Sequence, residues 1–250
     1  MPYTKDGIKY PRCTQIIGDC TSKGDALTQW AANCCVEWIR ENYPSDTYPG
    51  CYLVCGEELN QARFAYKTVS DKALDVGSEV HNAIEKYFKN DCVPTVLKIS
   101  KQGDSAFGAF LEWARKHNLK PIELEKTVYG SRWAGTLDFY GYFDDKLFVI
   151  DWKTSKPRNK KTGKGIYPEN RYQVAAYRSV MEEPSTVEPF ETIPCGGCGV
   201  LRLDKETGMP DWNDTSKTFE RDYQVFKRMV DLYFERHPRI AKRFEGIIPF

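Results

Sequence analysis

The sequence of 250 residues predicts an α/β fold, in which a small mixed sheet containing an antiparallel three-stranded meander is flanked by helices. Two observations carry this prediction. In the first half of the chain, apolar residues recur at three- and four-residue steps, as they do along amphipathic helices. After Pro121 the pattern changes to short segments that are rich in β-branched and aromatic residues and are bounded by turn residues. With no internal repeat and no long linker, one domain over 1–250 is predicted, with a mainly helical part at 1–118, a sheet core at 119–205 and a C-terminal helix at 206–250.

The helical half begins after a short extended lead. A first helix is predicted where an apolar stripe runs over residues 26–38. Residues 58–88 are predicted to form two helices with a break near residues 75–77, and a further short helix is predicted around residues 107–114.

The second half alternates between strands and helices. Three strands are predicted at 122–129, 136–143 and 146–152, and the Gly or Asp residues between them are typical of an antiparallel meander. A basic loop follows the third strand. The remaining predicted elements are a helix at 169–182, a strand at 199–203 and a final helix at 218–236.

Composition and charge exclude several classes of protein. The 36 basic and 35 acidic residues leave a net charge of +1, so any attraction for a polyanion must come from a local patch of charge. No apolar run approaches the roughly 20 residues of a membrane span, and the first residues are polar, so a soluble cytoplasmic protein with no membrane partner is predicted. The nine cysteines are an odd number, and we expect reduced thiols or metal ligands instead of a disulfide framework.

Two acidic residues and a lysine are predicted to converge on the second and third strands of the meander. Asp151 and Lys153 are two residues apart on one strand and therefore project from the same face, and a neighbouring antiparallel strand can bring Asp138 against them. Two close carboxylates repel each other unless a cation lies between them, and hard oxygen ligands suit Mg²⁺ or Mn²⁺. The alternative is an exposed hairpin edge, where the same side chains are simply solvated.

Four motifs follow one another along the chain, in the order Val80-His81-x-x-x-Glu85, Gly135-x-x-Asp138, Asp151-Trp152-Lys153-Thr-Ser and Gln173-x-x-x-Tyr177. Together they resemble the motifs of the PD-(D/E)XK nuclease superfamily. The closest similarity is to its RecB-like branch, which includes the nuclease domains of RecB and AddB, the CRISPR-associated RecB-like nucleases and many phage exonucleases. The resemblance covers roughly residues 10–205 and implies a restriction-endonuclease-like core.

The resemblance implies a role for each residue of the strand and histidine motifs. His81, Asp138 and Asp151 would bind the catalytic Mg²⁺ or Mn²⁺, together with the backbone carbonyl of Trp152. Lys153 would be the catalytic lysine, which orients or deprotonates the attacking water and offsets charge on the phosphate in the transition state. From the residues alone, a single histidine on a helix is more often structural than a metal ligand.

The fourth motif and the basic loop are candidates for contacts with DNA. Gln173 and Tyr177 lie four residues apart on a predicted helix and therefore share a face. In the family this pair faces the active site, where the glutamine orients the lysine or a phosphate and the tyrosine contacts DNA. The alternative is an ordinary amphipathic helix with both side chains in the core. From Lys153 to Lys164 the chain carries six basic residues and no acidic one, so this segment could supply a local surface for phosphates.

The predicted function is that of a metal-dependent deoxyribonuclease that hydrolyses phosphodiester bonds of DNA. The resemblance implies a phage-type exonuclease on single-stranded ends, with a role in DNA recombination or repair, located in the cytoplasm of the host cell if the protein is viral. A DNA-binding or scaffold module that keeps the nuclease fold without cutting is one alternative. A zinc-binding interaction protein is another.

The zinc alternative is based on four cysteines. Cys195-Gly-Gly-Cys198 has the spacing of a zinc knuckle or of half an iron–sulfur site, and Cys51 and Cys55 could complete a set of four sulfur ligands. A structural zinc ion, an iron–sulfur cluster and the absence of any metal all remain open for these cysteines.

Overall fold

The computed structural model of the protein describes residues 3–21, 24–43, 52, 54–90, 99–156, 159, 161–162, 164–182, 195–204 and 206–245, with the backbone alone at 25–26, 72–75 and 90. These residues belong to two compact units. The larger unit consists of Met1–Thr21 and Glu79–Phe250, and the smaller one is formed by residues 22–78. The domain boundaries expected from the sequence stay predictions.

The larger unit is mixed α/β, which confirms the predicted class. Its five-stranded sheet has neighbouring strands in chain order, and the first three form the expected antiparallel meander. The fourth strand is parallel to the third, and the fifth returns antiparallel to the fourth. A separate two-stranded hairpin precedes the sheet in the chain. The strands are β1 (Tyr3–Lys5) and β2 (Ile8–Tyr10) in the hairpin, and β3 (Lys120–Tyr129), β4 (Ala134–Phe143), β5 (Lys146–Ser155), β6 (Gly197–Asp204) and β7 (Pro210–Asp214) in the sheet.

Helices account for most of the remaining described residues. They are α1 (Cys13–Cys20), α2 (Gly24–Asn42), α3 (Gly56–Arg63), α4 (Ala65–Asn90), α5 (Lys101–Lys116), α6 (Pro168–Glu182), α7 (Phe219–Arg236) and α8 (Pro238–Ala241).

Helices cover both faces of the five-stranded sheet, and each face has its own apolar core. The α6-side core is formed by α1, α6 and α7, with Ile16, Val174 and Phe226 fully buried in it. The α5-side core is formed by α5 and the C-terminal part of α4, with Ile84 and Phe110 buried. Because both faces are covered, β5 and β6 have the nearly continuous apolar sequences of buried strands.

The helices between residues 56 and 90 break at a different place from the expected one. α3 ends at Arg63 and α4 begins at Ala65, so the break lies at Phe64. α4 continues through residues 75–77, where the sequence predicted the break, and that prediction is wrong. A glycine inside a helix costs only about 1 kcal/mol relative to alanine, so one such residue does not end a long helix.

Two elements of the larger unit were not predicted. α1 occupies part of the segment expected to be an extended lead. β7 has the sequence PDWND, in which Pro, Asp and Asn are all unfavourable in strands. It forms because it pairs with β6 and because Trp212 packs against Phe143, with ring centroids 4.8 Å apart.

The smaller unit, taken by itself, is helical. Trp30 on α2 meets Tyr66 on α4 edge to face, with ring centroids 6.2 Å apart. At the start of α3, the Glu58 carboxylate accepts the backbone N–H of Cys55 at 2.7 Å, which closes a capping box. Across the described parts of both units, no helix combines the length and the apolarity needed to cross a membrane.

Candidate active site

The candidate site begins where strands β4 and β5 part. Their antiparallel ladder ends at the pair Phe139↔Ile150 and does not include the next pair in the same register, Asp138 and Asp151. In its place, the backbone N–H of Trp152 donates to Asp138 Oδ2 at 2.8 Å. The Asp138 carboxylate is therefore buried between the strands and fixed to the backbone of β5.

Glu125 lies opposite Asp138 in the register of β3 and β4, and no sequence motif includes it. The ladder contains the residue pairs on either side but skips this one. Glu125 has a left-handed backbone, with φ of 48°, which costs a residue other than glycine about 1–2 kcal/mol. The alternation of side chains along β3 is reversed across this point: Leu124 packs against the α5-side core and Val128 lies in the α6-side core, although residues four apart on a regular strand share a face.

His81 reaches the same place from α4. Its Nδ1 atom is 3.7 Å from Glu125 Oε1 and 3.7 Å from Asp138 Oδ1. Burial disfavours the charged imidazolium, but the nearby carboxylates of Asp138 and Glu125 outweigh it, so the pKa of His81 is raised.

The ligand atoms of His81, Glu125 and Asp138 all lie within 4.8 Å of one another. Within the described part of the chain, no other three side chains of the metal-binding types come together in this way. One imidazole nitrogen and two carboxylates form a donor set that Mn²⁺ or Mg²⁺ accepts. The structure thus brings His81 and Asp138 together, as expected, adds Glu125 and leaves Asp151 outside this group.

Asp151 and Lys153 form an ion pair, with Lys153 Nζ 2.5 Å from Asp151 Oδ2. Burial of Asp151 is complete and raises its pKa to about 7, against the attraction of the lysine. Burial also disfavours the ammonium of Lys153, but the carboxylates of Asp151 and Asp138 outweigh it and raise the pKa of the lysine. Apart from the ammonium of Lys153, no donor among the described residues reaches Asp151 Oδ2.

Gln173 and Tyr177 are connected to Asp151. Gln173 Nε2 donates to Asp151 Oδ1 at 2.9 Å and to the Tyr177 hydroxyl at 3.2 Å. Both side chains are buried, at 8% and 2% exposure, and burial raises the pKa of Tyr177 well above its usual value. Gly135 leaves room for this tyrosine, because a Cβ atom at that position would lie 2.6 Å from its ring. The pair holds Asp151 in place, and its expected contacts with DNA stay predictions.

Trp152 takes part in the site through its backbone. Its N–H donates to Asp138, while its indole is 1% exposed and packs edge to face on Phe110. The expected role of its carbonyl as a metal ligand stays a prediction.

Sequence reasoning missed Glu125, although the register contains a signal for it. The turn at residues 130–133 pairs Tyr129 with Ala134, and counting back along both strands sets Glu125 opposite Asp138. The carboxylate of Glu125, directly opposite the motif residue Asp138, would then have been a candidate for the site.

The thiols of Cys195 and Cys198 make hydrogen bonds within the larger unit. Cys195 Sγ donates to the Gly197 carbonyl at 3.0 Å, and Cys198 Sγ lies 3.4 Å from Thr215 Oγ1. Burial raises the pKa of both thiols, which disfavours the thiolate that metals bind. Cys51 lies outside the described residues, so a zinc or iron–sulfur site that includes it stays a prediction.

Comparison with known proteins adds no relative to this picture: the sequence matches no family model and no curated protein.

Proposed function

We propose that this protein is a metal-dependent nuclease that hydrolyses phosphodiester bonds of DNA and belongs to the RecB-like branch of the PD-(D/E)XK superfamily. The observation that carries the proposal is the convergence of His81, Glu125 and Asp138, with the ion pair of Asp151 and Lys153 on the adjoining strand. Phosphodiester hydrolysis needs a nucleophilic hydroxide near neutral pH and positive charge for a phosphate that gains negative charge. The cluster of His81, Glu125 and Asp138 provides residues that can hold a cation to generate the hydroxide, and Lys153 provides the positive charge for the phosphate.

His81, Glu125 and Asp138 would hold the divalent cation, either Mg²⁺ or Mn²⁺. The site fits a cation because an imidazole nitrogen and two carboxylates converge within 4.8 Å of one another. When bound, the cation would lower the pKa of a water molecule and so supply hydroxide. Asp151 and the carbonyl of Trp152 enter the ligand set on the resemblance.

Lys153 acts as a fixed positive charge. A protonated amine cannot accept a proton from water, and the carboxylates of Asp151 and Asp138 keep the lysine protonated. Its ammonium can donate to a phosphate oxygen and offset the charge that develops in the transition state. Asp151 holds the ammonium from one side, and Gln173 in turn holds Asp151.

The left-handed backbone of Glu125 favours catalysis over a DNA-binding or scaffold module that does not cut. The fold sustains a cost of about 1–2 kcal/mol at this residue, and its carboxylate then lies in an acidic cluster where repulsion adds to that cost. A module that only binds DNA gains nothing from either cost. Exonucleolytic action on single-stranded ends, and a phage role in recombination or repair, enter the proposal through the resemblance.

The test is cleavage of end-labelled single- and double-stranded oligonucleotides in Mg²⁺, in Mn²⁺ and in EDTA. We expect the wild type to degrade single-stranded ends with either metal and not in EDTA. Asp138→Asn and Lys153→Met should lower kcat by about 100-fold or more. Glu112→Gln, which changes an exposed carboxylate on α5, should cut like the wild type. Undiminished cleavage by both site variants, or in EDTA, would contradict the proposal.

A further inference from the structure

An open cleft of about 830 Å³ lies between the basic segment that follows β5 and strand β7. Its lining includes Asn159, Lys161, Thr162 and Lys164 from the segment, and Asp211 and Asn213 from β7. Ligand sites in proteins commonly have volumes of about 300–1,000 Å³, so the cleft is large enough for one unit of a polymer.

The cleft lies in the same row of the sheet as Lys153. Lys153 pairs with Arg202 on β6, and Arg202 pairs with Asp211 on β7. Side chains of directly paired residues project from the same face of a sheet. Asp211 is therefore on the face from which Lys153 projects, two strand spacings or about 10 Å away.

The described residues of the segment that carries Lys161 and Lys164 make backbone hydrogen bonds. The N–H of Asn159 donates to the Lys164 carbonyl at 3.0 Å, and Asn159 Oδ1 accepts the N–H of Lys161 at 3.0 Å. The N–H of Gly165 donates to Asp211 Oδ2 at 2.8 Å, which fastens the turn to β7. The two lysines border the cleft.

The charge of the cleft is positive, although the whole chain is nearly neutral. Lys161 and Lys164 are exposed, and within the described residues neither forms an ion pair with an acidic side chain. Asp211, the acidic residue of the lining, is paired with Arg202. Arg202 is 2% exposed and also donates to the Ser155 carbonyl at 2.9 Å. Arg202 also pairs with Asp204, so this network of one guanidinium and two carboxylates carries a charge of −1, and the two lysines leave the cleft and the network together at +1. The network connects the end of β5 to β7.

We propose that the cleft binds two phosphate groups of the polynucleotide strand whose scissile bond lies at Lys153; this inference rests on the proposed function. A strand that follows the edge of the sheet where β5 and β6 end would pass the cleft about 10 Å from the lysine. Lys161 and Lys164 would contact its phosphates by charge and position the strand without reading its sequence. An acidic peptide would also satisfy the two lysines, but nothing would align it with Lys153.

The test measures binding without cleavage, with the full chain in EDTA and a fluorescent single-stranded oligonucleotide, over a series of salt concentrations. The double variant Lys161→Ala/Lys164→Ala should bind about tenfold more weakly, and its salt slope should fall by about 1.4, since each phosphate contact on a single strand contributes about 0.7. The matched control is Lys120→Ala/Lys146→Ala, which removes two exposed lysines at the opposite end of the sheet and should change neither quantity.

Weaker binding and a lower slope in the double variant alone would support the phosphate site, whether or not the wild type cleaves DNA. Absent cleavage would then count against the proposed function only. A double variant that binds and cleaves like the wild type would overturn the inference and leave the nuclease proposal standing. The inference would also fail if the wild type did not bind the oligonucleotide. It would fail as well if polyglutamate or a mononucleotide, at matched charge, displaced the fluorescent oligonucleotide as well as an unlabelled oligonucleotide does.

Discussion

Replacing Glu125 by glycine is expected to stabilise the metal-free protein while abolishing cleavage. Glu125 has a φ of 48° inside β3, and that conformation costs a residue with a Cβ atom about 1–2 kcal/mol. Glycine removes this cost but adds about 0.5–1 kcal/mol of backbone entropy to the unfolded state. The balance is a gain of roughly 0.5–1 kcal/mol in the free energy of unfolding, or about 1–4 °C in Tm for a chain of this length.

Two control variants separate the backbone from the charge. Glu125→Gln keeps the left-handed backbone and removes only the carboxylate, so it should lose metal affinity without the backbone gain. Glu123→Gly makes the same change two residues earlier on β3, where no positive φ occurs. It also removes an ion pair with Lys126, in which the charged atoms are 2.6 Å apart, and should lower the free energy of unfolding by about 1 kcal/mol.

The assays are thermal unfolding in EDTA and Mn²⁺ binding by calorimetry. The difference in Tm between Glu125→Gly and Glu125→Gln isolates the backbone contribution, because both variants lack the carboxylate. If Glu125→Gly is less stable than Glu125→Gln, Glu125 carries no strain and the reasoning is refuted. Unchanged Mn²⁺ binding by Glu125→Gln would exclude this residue from the metal cluster.

Three further changes probe the buried ionic groups in EDTA. Burial raises the pKa of Asp151 from 3.8 to about 7 and so penalises its charged form in the folded state. The wild type should therefore lose up to roughly 4 kcal/mol of stability as the pH rises from about 4 to about 7, at 1.36 kcal/mol per pKa unit. Asp151→Asn should lack this loss in a pH series of thermal unfolding. Parallel stability profiles of the two proteins would contradict the raised pKa of Asp151. Gln173→Leu leaves Asp151 Oδ1 without its donor and should cost about 1–3 kcal/mol near pH 8 but less near pH 5 in the same series. Arg202→Met leaves the carboxylates of Asp204 and Asp211 without their buried partner. Calorimetry should show a loss of about 3–5 kcal/mol in the free energy of unfolding, or at least about 6 °C in Tm. A smaller change would mean that water replaces the guanidinium.

Local pattern predicted the elements of the larger unit wherever packing agrees with propensity. β5 was recognisable because Val149 and Ile150 enter different cores and both are apolar. β7 was not recognisable, since the partners that hold Trp212 are distant in the sequence. The helix break at Phe64 was missed for a related reason: the apolar periodicity continues on both sides of it, and only the backbone ends α3 there.

The candidate site was predictable to the extent that strand periodicity and motif order determine it. Those two features were enough to expect His81, Asp138 and Lys153 near one another. They could not show which second carboxylate faces the imidazole, because that depends on where the ladder between β4 and β5 stops. They also could not show the reversal of β3 at Glu125, since no local pattern identifies a left-handed glutamate inside a strand.

Asp138 connects the two halves of the proposed chemistry. One of its oxygens faces His81 at 3.7 Å, and the other accepts the N–H of Trp152 at 2.8 Å. Trp152 lies between Asp151 and Lys153 on β5, so the buried side chain of Asp138 sets the distance between the cluster of His81, Glu125 and Asp138 and the lysine. Asp138 and Trp152 both belong to strands that are covered by packed helices. Sites built on such elements hold their geometry more closely than sites on loops. A cation at the cluster and the ammonium of Lys153 would therefore meet a phosphate in a fixed arrangement, which is the condition for both to stabilise the same transition state.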